Sequence, residues 1–156
     1  MSEKKGLYAV AAEQYDLVLV SVIDSPRPHV FRAKVEHIYS TGKCIAPDHL
    51  GAEIEFYSGP PTWGNVPLEV GERALVFVRT LSGLFHEHAW RGHMVLEDIA
   101  GGTYARLHIP EMWLRDDLPV DVRAASSPHP TRRNASIVRF SVLERYLSDL
   151  IENAVR

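Results

Sequence analysis

Tyr15-Asp16-Leu17-Val18-Leu19-Val20-Ser21-Val22-Ile23 is the stretch on which the fold class turns. Side chains of an extended chain alternate between two faces, and here both faces are apolar through the middle of the run. A strand that needs cover on both sides belongs in the centre of a sheet. Asp24-Ser25-Pro26-Arg27-Pro28 follows, and its turn residues and two prolines predict that the strand stops there. Beyond this point the pattern becomes period two. Phe31, Ala33, Val35 and His37 interleave with Arg32, Lys34 and Glu36, which predicts a strand over 29–39 with one wet face. Ala52-Glu53-Ile54-Glu55-Phe56-Tyr57 alternates in the same way. Leu68-Glu69-Val70-Gly71-Glu72-Arg73 reads as a turn feeding a fourth strand, Ala74-Leu75-Val76-Phe77-Val78-Arg79.

The second half continues in short strands. Ser82-Gly83 turns the chain, and 84–89 and 93–99 read as two strands separated by a break or bulge at Arg91-Gly92. Ala100-Gly101-Gly102 predicts a hairpin turn, with 103–109 as the returning strand. The alanine-rich segment around 7–12 predicts a short N-terminal helical turn, and Pro110-Glu111-Met112-Trp113-Leu114 another. Residues 115–135, with Pro119, Pro128 and Pro130, read as a long connector. Ile137-Val138-Arg139-Phe140 fits either extended chain or the start of the last element. That element, 141–155, opens on the capping box Ser141-Val142-Leu143-Glu144 and is an amphipathic helix, with Leu143, Tyr146, Leu147, Leu150, Ile151 and Ala154 on one face. About seven strands with no helices between them exclude a doubly wound sheet. The expectation is a single, mainly β domain over 1–156, with a small antiparallel barrel or sandwich over 15–109.

Composition bounds the function. In 156 residues, 46% are apolar and 24% charged, an ordinary globular balance that argues against disorder. Seventeen Lys and Arg against twenty Asp and Glu give a formal charge of −3, which counts against a globally basic nucleic-acid binder. One cysteine, Cys44, excludes an internal disulfide framework and a multi-cysteine zinc site. The first residues carry no apolar signal core, and the longest apolar run is far too short to span a bilayer. The expectation is a soluble, cytoplasmic protein without a membrane partner.

Between Tyr15 and Val78 the chain resembles the OB-fold barrel of the netrin-like and tissue-inhibitor-of-metalloproteinases modules, including their cysteine-free bacterial relatives. The residues that carry the resemblance are Tyr15 to Val22, the alternating strand ending Val35-Glu36-His37-Ile38, and Leu68-Glu69-Val70-Gly71-Glu72-Arg73-Ala74-Leu75-Val76-Phe77. It implies a small antiparallel OB-like barrel with a C-terminal helix packed on it, a fold used for binding. The extracellular members inhibit proteases through an N-terminal cysteine that has no counterpart here, so that mechanism does not carry over. A fold by itself assigns no function.

Candidate sites follow from residue chemistry. In His86-Glu87-His88-Ala89-Trp90-Arg91-Gly92-His93, His86 and His88 would share one face of a strand. With His93 or His108 as a third imidazole they would make a zinc site, though eight histidines in the chain make a close pair easy to obtain by chance. Cys44 stands beside Lys43, which favours a thiolate, but no base is adjacent and no nucleophile elbow, phosphate loop or zinc-protease helix is present. An OB barrel can bind single-stranded nucleic acid through aromatics in a basic groove, and the interspersed acids argue against that use here. The remaining signal is aromatic. Trp63 and Asn65 lie in a Pro- and Gly-rich stretch, Ser58 to Pro67, and Trp90 precedes Arg91. Trp and Arg dominate protein-binding hot spots. The expected function is therefore a non-enzymatic protein-binding module, of the kind a small acidic immunity or inhibitor protein uses to neutralise a bacterial toxin. The alternatives are a metal-binding protein or metal-dependent enzyme centred on His86 and His88, with zinc as the metal, and an OB-type nucleic-acid binder.

Overall fold

In a computed structural model that describes residues 16–39, 44–59, 67–87, 93–108, 119–132 and 135–154, strand β1 (Asp16–Arg27) is covered on both faces from Leu17 to Val20. It is flanked on one side by β2 (Val30–Ile38) and on the other by β4 (Arg73–Leu81). With β3 (Glu53–Tyr57) and β5 (Leu84–Glu87) these strands run in the order β1-β2-β3-β5-β4 and close through the β1–β4 pairing into a five-strand, OB-like barrel. Every pairing in the barrel is antiparallel except β3–β5, which is parallel through Phe56↔Phe85 and Tyr57↔His86.

The barrel ends at Glu87 rather than near residue 109. Strand β6 (His93–Ile99) pairs with the first half of β4, on the side where β5 pairs with the second half. From β6 the sheet continues through β7 (Gly102–His108) and then β9 (Ala135–Arg139), and ends on the three-residue β8 (Ser126–Pro128). Part of the segment read as a connector is thus ordered structure, since it supplies both β8 and the short helix α1 (Val120–Ala124). The last helix, α2 (Phe140–Ala154), follows β9 directly.

Two apolar cores result. Val18, Val20 and Val22 of β1, Ala33 and Val35 of β2, Ile54 and Phe56 of β3, and Ala74, Val76 and Val78 of β4 fill the barrel. Leu17 and Leu19 of β1 and Leu75 and Phe77 of β4 point outward, into a second core with Met94, Leu107, Val138 and, from α2, Leu143, Leu147 and Ile151. The apolarity of both faces of β1 is accounted for by these two cores. Asp16, fully buried at the start of β1, accepts the amides of Cys44 at 2.8 Å and Ile45 at 2.7 Å and so holds Ile45 in the barrel core.

Turn chemistry agrees with the backbone. Ser82 and Gly83 sit at φ 53° and 80° between the paired residues Leu81 and Leu84, and Ala100 and Gly101 at 51° and 83° between Ile99 and Gly102. Positive φ at both central residues is what a type I′ hairpin requires. The expected stop at 24–28 is displaced. Strand β1 runs on to Arg27, and Pro26 falls in the register shift between Asp24 and Arg27, where the ladder asks for no amide from it. Helix α2 starts at Phe140, which places Ser141 inside its first turn, and Glu144 accepts the Tyr39 hydroxyl across to the barrel. Burial, reinforced by that hydrogen bond and the Glu144 charge, pushes the Tyr39 phenol above its ordinary pKa and keeps it a donor. The expected helical turns near the N-terminus and at 110–114 lie outside the described residues. Among the described residues no helix is long and apolar enough to cross a membrane.

Leu147 is fully buried against the second core, so Leu147→Ala should lower the unfolding free energy by about 2–5 kcal/mol, measured by urea denaturation. An unchanged midpoint would show that α2 does not hold that core.

Candidate functional site

The inward-facing rows of the barrel run out of apolar residues at one end. On β3 the row Ile54, Phe56 continues to Ser58. On β5, Phe85 is followed two residues on by Glu87. On β6, Val95 is preceded two residues back by His93. The three polar residues meet where their rows converge. The Ser58 hydroxyl donates to Glu87 Oε1, and His93 Nδ1 lies 2.7 Å from Glu87 Oε2. The contact is out of water, with only 7% of the Glu87 side chain and 11% of the His93 side chain exposed. Ser58 also donates its amide to the carbonyl of His29, at 2.7 Å, and His29 is the second central residue of the Pro28-His29 turn between β1 and β2.

The outer face of the same end is apolar and aromatic. Alternation sends Tyr57, Leu84 and His86 outward, and the register Leu81↔Leu84 adds Leu81. Leu84 is 55% exposed, Leu81 42% and Tyr57 37%. Tyr57 stands between two imidazoles, with ring centroids 5.3 Å from His86 and 6.2 Å from His29.

The outer face of β1, β2 and β3, with the start of β4, carries a ladder of opposite charges. Arg32 meets Asp24 at 2.5 Å and Glu53 at 3.6 Å, Arg27 meets Glu55 at 3.8 Å, and Arg73 meets Glu36 at 3.2 Å. These cations are already matched by carboxylates.

A second polar cluster lies on the side sheet. Arg106, 3% exposed, donates to Glu97 at 2.5 Å and lies 3.7 Å from Glu72. His129 Nδ1 accepts the amides of Thr131 at 3.1 Å and Arg132 at 3.0 Å. The ring proton therefore sits on Nε2, which faces Glu97 Oε1 at 3.2 Å. Burial alone would raise the Glu97 carboxyl, but the hydrogen bonds from Arg106 and His129, with the Arg106 charge, outweigh it and hold the group below its ordinary value. The cluster fastens the chain after β8 to the sheet and is structural.

The residues nominated from sequence fall in different places. Trp63, Asn65, Trp90, Arg91 and His88 lie outside the described residues. What is described are the stems of their loops. Gly59 and Pro67 bound one, and Glu87 and His93 bound the other. The parallel β3–β5 pairing sets the exits of the two loops side by side, and the Ser58–Glu87 bond joins them. Of the histidines considered for zinc, His86 faces outward beside Tyr57, whereas His93 faces the barrel side and bonds Glu87. His108 ends β7 opposite Ala135. Cys44 is half-buried, its Sγ 3.6 Å from the carbonyl of Val78. Sequence reasoning passed over Ser58 and Glu87 as site residues. Their signal is present, for each stands where an alternating apolar row would place its next inward residue.

No family model, curated protein or solved structure matches the chain.

Since Glu97 titrates below its ordinary value of 4.5 in the folded chain, it binds protons more readily when unfolded. Its contribution to stability is complete above that ordinary value and is lost as the pH falls through the depressed one. Chemical denaturation across pH 3–7 should show this acid loss, and Glu97→Gln should flatten it while lowering stability at pH 7. An identical acid slope in the variant would remove Glu97 as its source.

Proposed function

We propose that the chain is a non-enzymatic protein-binding module and that it engages its partner with the barrel end formed by β3, β5 and the β1–β2 turn. The observation that carries this reading is the parallel β3–β5 pairing, which sets the stems of the Trp63 and Trp90 loops beside exposed Tyr57, Leu84 and Leu81. Large apolar and aromatic side chains clustered on one exposed patch are what a protein interface uses for affinity. In the sequence, Trp63 lies between the stems Gly59 and Pro67, and Trp90-Arg91 between Glu87 and His93, and these are residue types of the same kind.

The charge ladder on β1, β2 and β3 argues against phosphate as the ligand. A nucleic-acid groove gains affinity from cations free to displace counterions, and Arg27, Arg32 and Arg73 already face carboxylates. The net charge of −3 favours a partner with a basic surface. In its narrower form the proposal is an immunity- or inhibitor-type protein that neutralises such a partner. A likeness to netrin-like and tissue-inhibitor modules, drawn from the sequence pattern alone, agrees with a binding role, and the closed five-strand barrel is compatible with the OB-like fold it implies. The reading involves no cofactor. Stoichiometric zinc surviving dialysis of untagged protein, and lost on changing His86 and His88 to Ala, would replace it with the metal-centred alternative.

The test is affinity capture from the native host with mass spectrometry, run in parallel on the wild type and on Leu84→Asp, Tyr57→Ala and Trp63→Ala. Each variant should keep its stability to within about 1 kcal/mol, as surface changes do, while at least one loses about 2 kcal/mol or more of binding to the captured protein. A partner retained by all three would place the interface elsewhere.

A further inference from the structure

We propose that Glu87 is a positioning residue that locks the chain at Ser58 and the chain at His93 to each other, so that these two stems behave as one unit. The inference rests on the reading of this barrel end as the partner surface and adds the element that organises it.

The backbone leaves that end incompletely tied. The parallel ladder between β3 and β5 consists of two pairs, Phe56↔Phe85 and Tyr57↔His86, and stops there. Opposite β4, the pairs Val78↔Glu87 and Val76↔His93 bracket one β4 residue, Phe77, whereas the facing chain runs through residues 88–92 between them. Both loops thus begin where main-chain pairing ends. Glu87 bridges both gaps with one planar group. Its Oε1 takes the Ser58 hydroxyl from β3, one position past the last parallel pair, and its Oε2 takes Nδ1–H of His93, the residue at which β6 begins. Ser58 extends the connection to the β1–β2 turn through its amide bond to His29.

The choice of residue follows from this geometry. Only a carboxylate offers two acceptor oxygens to two donors arriving from different strands. Away from water such bonds strengthen, and each donor left without its acceptor carries a desolvation penalty. Loss of the Glu87 carboxylate removes a contact from both stems at once, whereas loss of Ser58 or His93 removes a contact from one. The arrangement also links the two stems through a chain of contacts, Ser58 to Glu87 to His93, so a change at one is felt at the other.

The free protein suffices for the test, which separates this inference from the docking reading. Amide hydrogen exchange by NMR should show Glu87→Ala accelerating exchange about tenfold or more at both Ser58 and His93, with Val18 and Leu75 retaining their protection. Ser58→Ala should accelerate the first stem more than the second. Acceleration at one stem only, or uniformly across the barrel, would overturn the proposal. Should Glu87→Ala not fold, the His93 imidazole nitrogen resonances in Ser58→Ala decide the matter. Ser58 lies on another strand and is connected to His93 through Glu87, so a shift in those resonances supports the coupling and unchanged resonances overturn it. If the exchange result holds while partner binding ignores Tyr57, Leu84 and Trp63, the docking reading fails alone.

Discussion

Strands β1 and β4 serve two cores at once, and the remaining architecture depends on that pairing. Their register sets Leu17 opposite Phe77, Val18 opposite Val76, Leu19 opposite Leu75 and Val20 opposite Ala74. The smaller valine and alanine side chains all point into the barrel, and the larger leucine and phenylalanine side chains all point out toward β6, β7, β9 and α2. A slip of one residue would exchange the two sets, forcing large side chains into a narrow interior and leaving the outer core underfilled. The same pair therefore fixes the barrel's closure, the position of the side sheet and the seat of the last helix. Because both cores share these two strands, neither can open without disturbing the other.

Polar residues appear where those apolar rows run out, and each cluster joins segments that backbone hydrogen bonds leave unjoined. Asp16 holds the 44–45 chain against the start of β1. Glu97, with Arg106 and His129, holds the chain beyond β8 against β6 and β7. Glu87, with Ser58 and His93, sits at the barrel end where two loop stems emerge. In each case a carboxylate has found donors enough to offset its removal from water. What distinguishes the third cluster is its setting. It lies under an exposed face of Tyr57, Leu81 and Leu84, while the other two secure segments of the fold.

Much of the fold is legible in the sequence, because strands with one or two buried faces leave period-two or continuous apolar patterns. Leu17 to Val22 announces a central strand, Phe31 to His37 a half-wet one, and Ala100-Gly101 a tight hairpin. What the pattern does not carry is who pairs with whom. The parallel β3–β5 closure arises from the curvature of the whole barrel and leaves no local mark. Likewise β8 is three residues long, too short for a period, and its neighbour β9 reads equally well as the start of a helix. Pro26 looks like a terminator and is tolerated inside β1 only because a register shift excuses its missing amide. The candidate site was half visible. The tryptophans and histidines attract attention by type, whereas Ser58 and Glu87 are common residues whose meaning depends on a contact between strands far apart in the chain. His93, read for its metal-binding capacity, bonds a carboxylate six residues away.

The brevity of β8 has a consequence for crowded solution. The β1–β4 pairing closes the barrel strands on one another, whereas the extension through β6, β7 and β9 runs out at Ser126–Pro128. Among the described residues, the flank that this end of the sheet offers to another chain is thus three residues long and ends in an imino acid with no N–H to offer. A flank so short is a poor template for ribbon growth. At this end of the sheet the chain is thereby guarded against the edge-to-edge pairing to which proteins rich in strand are prone.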